Sequence, residues 1–311
     1  MQRRDTRGAD APSPPRLTDR FPQMSAAECR DVVAALHAAR EDGDRQAAIT
    51  LLLQHQPVLN YGYGSGHTFW RARRLPQGER FEREEDMLWP PKPSGGGRAH
   101  RPGTPMLYTA ARRDTALAEC EPAVGDLFQL VGVKIRARAE ARLIPLGEIF
   151  AIVRTGISLT EDATKARTLE SLVNASGRIS AEGIVYVDAF LDAEFAKPAN
   201  HGTTGSLAAQ LLAKAGEPDG ILYLSVKQKG GRNLAIRPSA FVQRWSVVSA
   251  SVVKVRDVLG FGMIATEAVA HADGLYRDGR FRWERGPPSQ IGHIEWACDE
   301  EPGHHGAASP P

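Results

Sequence analysis

The chain has 311 residues, of which 42% are hydrophobic and 24% charged, and a formal net charge of +2. That is length for one large domain or two small ones, an ordinary globular composition, and too little charge to argue for nucleic-acid binding. No apolar run approaches the roughly 18 residues of a membrane span, and Cys29, Cys120 and Cys298 lie far apart without CxxC spacing, which weighs against a disulfide framework or a zinc site and suits a reducing cytoplasm.

Residues 1–23 are rich in Pro, Arg and Asp without apolar periodicity and read as disordered; the segment 300–311 reads the same way. The opening stretch has basic residues but no hydrophobic run after them, so it does not read as a secretory signal. Order is expected from "SAAECRDVVAALHAAR", where Ser25 and Glu28 form a capping box and Val32, Leu36 and Ala39 recur at helical spacing. "EDGD" reads as a break, and "RQAAITLLLQHQP" as a second helix with Ile49, Leu52 and Leu53 on one side, stopped by Pro57. Residues 24–60 are therefore expected to form a helical hairpin.

From Tyr61 the pattern turns to strands separated by Gly/Pro loops. "TFWRARRL" alternates, with Phe69, Arg71 and Arg73 on one face and Trp70 and Ala72 on the other. "PMLYTA" and "DLFQLVGVKIRAR" are further strands, and between them Asp114 is expected to cap a short helix bearing Ala116, Leu117, Glu119 and Cys120. "TKARTLESLVNASG", with Leu169, Leu172 and Val173 inward, and "TGSLAAQLLAKAG" are helices ended by Gly177 and Gly216. "DGILYLSVKQ" is an apolar strand that turns at Gly230-Gly231 into "NLAIRP", and "GLYRDGRFRWER" is a hairpin turned at Asp278-Gly279. Strands and helices do not alternate regularly, so the fold class is α+β.

Taken singly, each polar candidate has a structural reading. Glu119 reads as a half-exposed glutamate at the negative end of a short helix, a placement a nearby arginine would offset. Arg71 and Arg73 read as a solvated sheet face, and Gly95-Gly96-Gly97 before Arg98 as a flexible loop. Alternatively, guanidinium groups beside exposed backbone N–H groups bind an anion. "YGYGSGH" at 61–67 lacks the ending of a phosphate-binding P-loop. Ser225 has no GxSxG surroundings and no adjacent histidine, so it reads as structural or as a partner for a ligand hydroxyl. Tyr108 reads as a core tyrosine or a cleft ring.

In order, "FWRAR" (69–73), "GGRAHRPGTPMLYTA" (96–110), "TALAE" (115–119) and "DGILYLSVKQKGGRNLAI" (219–236) resemble the RES domain family, over roughly residues 62 to 245. The sequence departs from the family pattern at Ala99 and His100, where an aromatic and an amide are usual, and at Leu224, where proline is usual. The resemblance implies an ADP-ribosyltransferase-like core, split into two small sheets around a cleft for NAD. With the flanks, this divides the chain into a catalytic core at 61–245, a β-rich extension at 246–299 and the two tails. It also implies NAD degradation by a cytoplasmic toxin, with water or inorganic phosphate as acceptor, no resident cofactor or metal, a protein antitoxin as partner, and nucleic acid met only through that antitoxin. Carried over, Glu119 is the carboxylate that stabilises the oxocarbenium-like transition state. Arg71 or Arg98 holds the pyrophosphate, with Arg73 a weaker candidate, Tyr108 offers its ring, and Ser225 orients the ribose. ADP-ribosyl transfer to a macromolecule, a non-catalytic relative, and a nucleic-acid module built on "FWRARR" stay open.

Overall fold

A computed structural model describes residues 24–75, 78–89, 95–159, 177–197, 201–216, 218–284 and 293–295, together with 167, 169, 170 and 174. The expected disordered segments, 1–23 and 300–311, lie outside the described residues, as do Leu172 and Val173; Leu169 is helical and buried. The chain divides into two compact units, one made of residues 1–57 with 147–190, the other of 58–146 with 191–311.

The first unit opens with the helical hairpin, α1 (Ala26–Ala38) and α2 (Asp42–His55). The capping box is present, with Ser25 Oγ taking the Glu28 N–H and a Glu28 oxygen taking the Ser25 N–H. The buried residues of α1 are Cys29, Val33 and Leu36, so Val33 and not Val32 faces inward. In α2 the buried residues include Ile49, Leu52 and Leu53. The break expected at "EDGD" is narrower, because α2 already begins at Asp42; acidic residues suit the positive end of a helix. α5 (Glu148–Thr155) follows later in the chain, between Gly147 and Gly156 in left-handed conformation.

The second unit is built on a mixed sheet of eleven strands among the described residues. In chain order they are β1 (Tyr61–Tyr63), β2 (Thr68–Arg74), β3 (Leu107–Ala110), β4 (Leu127–Ile135), β5 (Ala141–Pro145), β6 (Gly220–Leu224), β7 (Arg232–Ile236), β8 (Trp245–Gly260), β9 (Met263–Leu275), β10 (Phe281–Trp283) and β11 (His293–Glu295). Their order in the sheet is β1-β5-β6-β7-β3-β2-β4-β8-β9-β10, with β11 also on β9. Only β5 and β6 run parallel, and that pairing needs a long crossover. The chain between them carries α5, α6 (Arg178–Phe195) and α7 (His201–Lys214). Three further short helices are α3 (Glu84–Leu88), α4 (Arg113–Ala118) and α8 (Pro238–Arg244). The protein is α+β, with the helical hairpin at its N-terminal side.

β4 shows why the sheet is solid at its centre. Val131, Val133 and Ile135 join the apolar cluster on one face, with Phe69, Leu107, Leu143 and Trp245; Phe128 and Leu130 join the cluster on the other, with Leu117, Val255 and Ile264. A strand buried on both faces reads as a near-continuous apolar run, which "LFQLVGVKI" does apart from Gln129 and Lys134. Burying one such side chain is worth about 1.5–3 kcal/mol.

One junction is different. β2 runs beside β4 from Thr68–Lys134 to Arg74–Phe128, and β3 beside β7 from Leu107–Ile236 to Ala110–Asn233. β2 meets β3 only where Trp70 stands opposite Ala110. The sheet is therefore pinched between two halves, and their facing backbones part on either side of that pair.

Candidate active site

A cavity of about 310 Å³ opens at this junction, lined by residues that include Arg71, Arg98, Tyr108, Glu119, His201 and Asn233. Six elements (β2, β3, α4, β6, β7 and α7) and the turn at Gly97 meet there, which is why its polar residues lie so far apart in sequence.

Arg71 leaves β2 on the Phe69 face and turns back to the chain. Its Nε donates to the Met87 carbonyl at 2.9 Å and its Nη1 to the Tyr108 carbonyl at 3.0 Å. Burial, helped by the neighbouring Arg73 charge, lowers its pKa to about 10, which leaves it a cation at neutral pH. Arg73 shares that face in the sequence pattern but not in the cavity. Its guanidinium lies 4.3 Å from the Phe81 ring centroid and donates to the Asp86 carbonyl, outside the cavity lining.

Arg98 is presented by a tight turn. Gly97 and His100 bridge through their backbones, at 2.9 and 3.3 Å. The turn has no room for a side chain at Gly97, where a Cβ would stand 2.4 Å from the His100 ring and 2.6 Å from the Tyr108 hydroxyl. That hydroxyl fastens the turn, accepting the Ala99 N–H at 2.9 Å and lying 2.7 Å from His100 Nδ1. Burial pushes the Tyr108 pKa up to about 12 and holds the His100 imidazole below its ordinary value, despite a hydrogen bond to the Gly95 backbone. A neutral His100 then accepts the Tyr108 proton at Nδ1, so the histidine that departs from the family pattern still serves the turn. Tyr108 lines the cavity, but its hydroxyl is already used. Arg98 is left with its Nε buried and without a hydrogen-bond partner among the described residues, its guanidinium 5.9 Å from the Tyr223 ring centroid.

Glu119 answers to different forces from those its sequence neighbours imply. Asp114 is not the cap of α4. The cap position is Arg112, whose side chain makes no capping hydrogen bond, and Asp114 is buried inside the first turn. Arg112 Nε, at 3.1 Å, and the Thr115 N–H, at 2.7 Å, draw the Asp114 carboxylate inward. Glu119 is the C-terminal cap residue, and the carbonyls that follow it, of Cys120 and Glu121, accept from Arg74 Nη2 at 2.9 and 2.8 Å. Arg74 thus neutralises the negative end of the helix. The Glu119 carboxylate itself is held by neutral donors, Ser225 Oγ at 2.6 Å and Asn233 Nδ2 at 2.6 Å, both on Oε1.

Ser225 stands just past β6. Its N–H donates to the Gly231 carbonyl at 2.8 Å, and its Oγ accepts the N–H groups of Lys227 and Gln228 at 3.1 and 3.0 Å. With its proton given to Glu119, the hydroxyl is fully engaged. Its place is beside the carboxylate, not free in the cavity.

The geometry thus brings together Arg71, Arg98, Tyr108, Glu119 and Ser225, and sets Arg73 apart. Two residues were missed. Asn233 could have been noticed as an amide in the apolar strand "NLAI", which needs a buried partner. His201 lines the cavity as the first residue of α7, and no motif signals it.

The site is a cleft between two half-sheets, with one anchored carboxylate and two guanidinium groups. A family model, the RES domain, matches residues 68–251, and the chain belongs to the RES domain family. At the level of the family, this places it among NAD-related proteins of toxin–antitoxin systems. No curated protein matches the chain. No helix among the described residues is long and apolar enough to cross a membrane.

Proposed function

We propose that this protein breaks the nicotinamide–ribose bond of NAD, passing the ADP-ribosyl group to water or inorganic phosphate. NAD is a substrate in this reading, not a resident cofactor. A protein antitoxin restrains the enzyme in the cytoplasm, and nucleic acid is reached only through that antitoxin.

The observation that carries the reading is the makeup of the cavity: among the described residues, Glu119 is its one carboxylate. Hydrolysis of an ordinary glycoside uses two carboxylates, one of them to protonate a poor leaving group. Nicotinamide in NAD is a pyridinium. When the C–N bond breaks, its electron pair neutralises that charge, and no acid is needed. What remains is positive charge on the ribose, which one fixed carboxylate stabilises more in the transition state than in the ground state. The acceptor oxygen then bonds the same carbon and its proton passes to solvent. The unpartnered Nε of Arg98 suits a phosphate oxygen at the other end of the substrate. A cavity of about 310 Å³ is at the small end for ligand sites and suits the nicotinamide riboside portion.

The test is nicotinamide release from NAD by the purified protein, with and without phosphate, beside Glu119→Gln. Loss of about two to four orders of magnitude in the variant is expected, the range of one strong electrostatic contribution. Product analysis separates ADP-ribose from its 1″-phosphate. No release by the folded protein under either condition would overturn the reading and direct attention to a macromolecular acceptor.

A further inference from the structure

We infer that Asn233 is a positioning residue that gives the two oxygens of Glu119 separate tasks, an inference that rests on Glu119 being the catalytic carboxylate. The end of a glutamate side chain turns in a broad torsional well, so one hydrogen bond leaves its plane loosely set. Here two donors arrive on one oxygen from different elements. Asn233 Nδ2 comes from β7, one residue past its start, and Ser225 Oγ from the turn after β6, each 2.6 Å from Oε1. Oε2 has no hydrogen-bond partner among the described residues, which leaves it for the ribose.

Asn233 is placed to do this without slack. It stands opposite Ala110 on one neighbouring strand and Tyr223 on the other, and is only 5% exposed. Only its NH₂ end can donate to a carboxylate, so the amide orientation follows from the contact. The choice of amide over acid also has a consequence. An aspartate at this position would set a second carboxylate against Glu119, and two such groups in contact do not both ionise readily. The other titratable or charged groups that line the cavity with Glu119 are Arg71 on β2, Arg98 on its turn, Cys120 beside it, Tyr108 on β3, Tyr223 on β6 and His201 on α7; outside the lining, Glu121 follows in the chain, with Arg74 on its carbonyl and Lys227 on its carboxylate. None of them donates to the Glu119 carboxylate among the hydrogen bonds of the described residues, so Asn233 and Ser225 alone set its plane.

The test uses the full chain with ¹³C-labelled glutamate carboxyls, the Glu119 resonance being identified by its loss in Glu119→Gln. Its titration midpoint should rise by more than one pH unit in Asn233→Asp, and by less in Asn233→Ala, which removes a donor without adding charge. The same spectra report folding, so Asn233→Ala carries the test if Asn233→Asp does not fold. Midpoints unchanged from the native protein would overturn the inference. This readout needs no substrate, so it stands or falls apart from the NAD reading. Where nicotinamide release is observed, Asn233→Ala should lower kcat 10- to 100-fold with KM within threefold, since the amide acts through its bond to Glu119. An effect on KM alone would assign Asn233 to substrate binding and overturn the positioning role.

Discussion

At the scale of single residues, the two arginines of the cleft have different duties, which their hydrogen bonds distinguish. Arg71 spends Nε and Nη1 on backbone carbonyls of Met87 and Tyr108. Removing it leaves those carbonyls short of partners, each worth about 1–3 kcal/mol. Arg71→Ala is therefore expected to lose about 2–6 kcal/mol of stability by urea denaturation, with activity falling for that reason. Arg98→Ala should unfold at nearly the native urea concentration and instead raise KM for NAD 10- to 100-fold, the loss of one charge-assisted contact. A stability loss confined to Arg98→Ala would reverse the assignment. His100 adds a pH dependence. Burial holds its imidazole below the ordinary 6.5, so the unfolded chain binds that proton more readily. The stability it supports is complete above about 6.5 and is lost as pH falls toward the lower folded value. Asp192, raised to about 6 by burial, pulls the opposite way in the same range, so the informative quantity is a difference. The stability of His100→Asn, followed from pH 8 to pH 5, should decline less than that of the native protein; parallel curves would remove His100 as the cause.

At the scale of elements, what the sequence made legible was whatever local periodicity governs. The helical hairpin, the strands flanking Arg71 and Tyr108, and the turns at Gly230 and Gly279 follow from spacing and from left-handed glycines, and the structure has them. Misreadings arise where a distant partner overrides the local pattern. Asp114 has the chemistry of a helix cap, but Arg112 and the Gln228 amide, 3.4 Å away, pull it inside. Asn233 is a partner of Glu119 across 114 positions of sequence, and no local rule connects them. The pairing of helix with turn gives a further prediction. Gly205, in α7, packs against the turn that carries Arg98, and a Cβ there would stand 2.6 Å from the His100 carbonyl oxygen. Alanine would favour the helix by about 1 kcal/mol, yet backbone at that distance has to move. Gly205→Ala should therefore keep its helical circular dichroism while nicotinamide release falls at least tenfold; unchanged release would show that the turn absorbs the shift without moving Arg98.

At the scale of the molecule, the family match ends at residue 251, in the middle of β8, but the sheet does not end there. Val253, Val255 and Ile264 belong to the apolar cluster that also holds Leu117 and Leu130, and so helps seat α4 and with it Glu119. Phe281, from β10, belongs to the cluster on the opposite face with Leu107 and Val131. All four side chains are nearly inaccessible, and at about 1.5–3 kcal/mol each their loss is about 6–12 kcal/mol. That is comparable with the entire stability of a typical domain, about 5–15 kcal/mol. A chain shortened to end at Ser251 is therefore expected to lose cooperative unfolding in urea and to expose apolar surface to a dye. A chain ending at Glu284, which keeps β8, β9 and β10, should unfold cooperatively near the native midpoint. Cooperative unfolding of the shorter chain would mean that β4 and the first half of β8 suffice to close both clusters. The long hairpin would then be an addition to a self-sufficient family core and not part of what holds Glu119 in place.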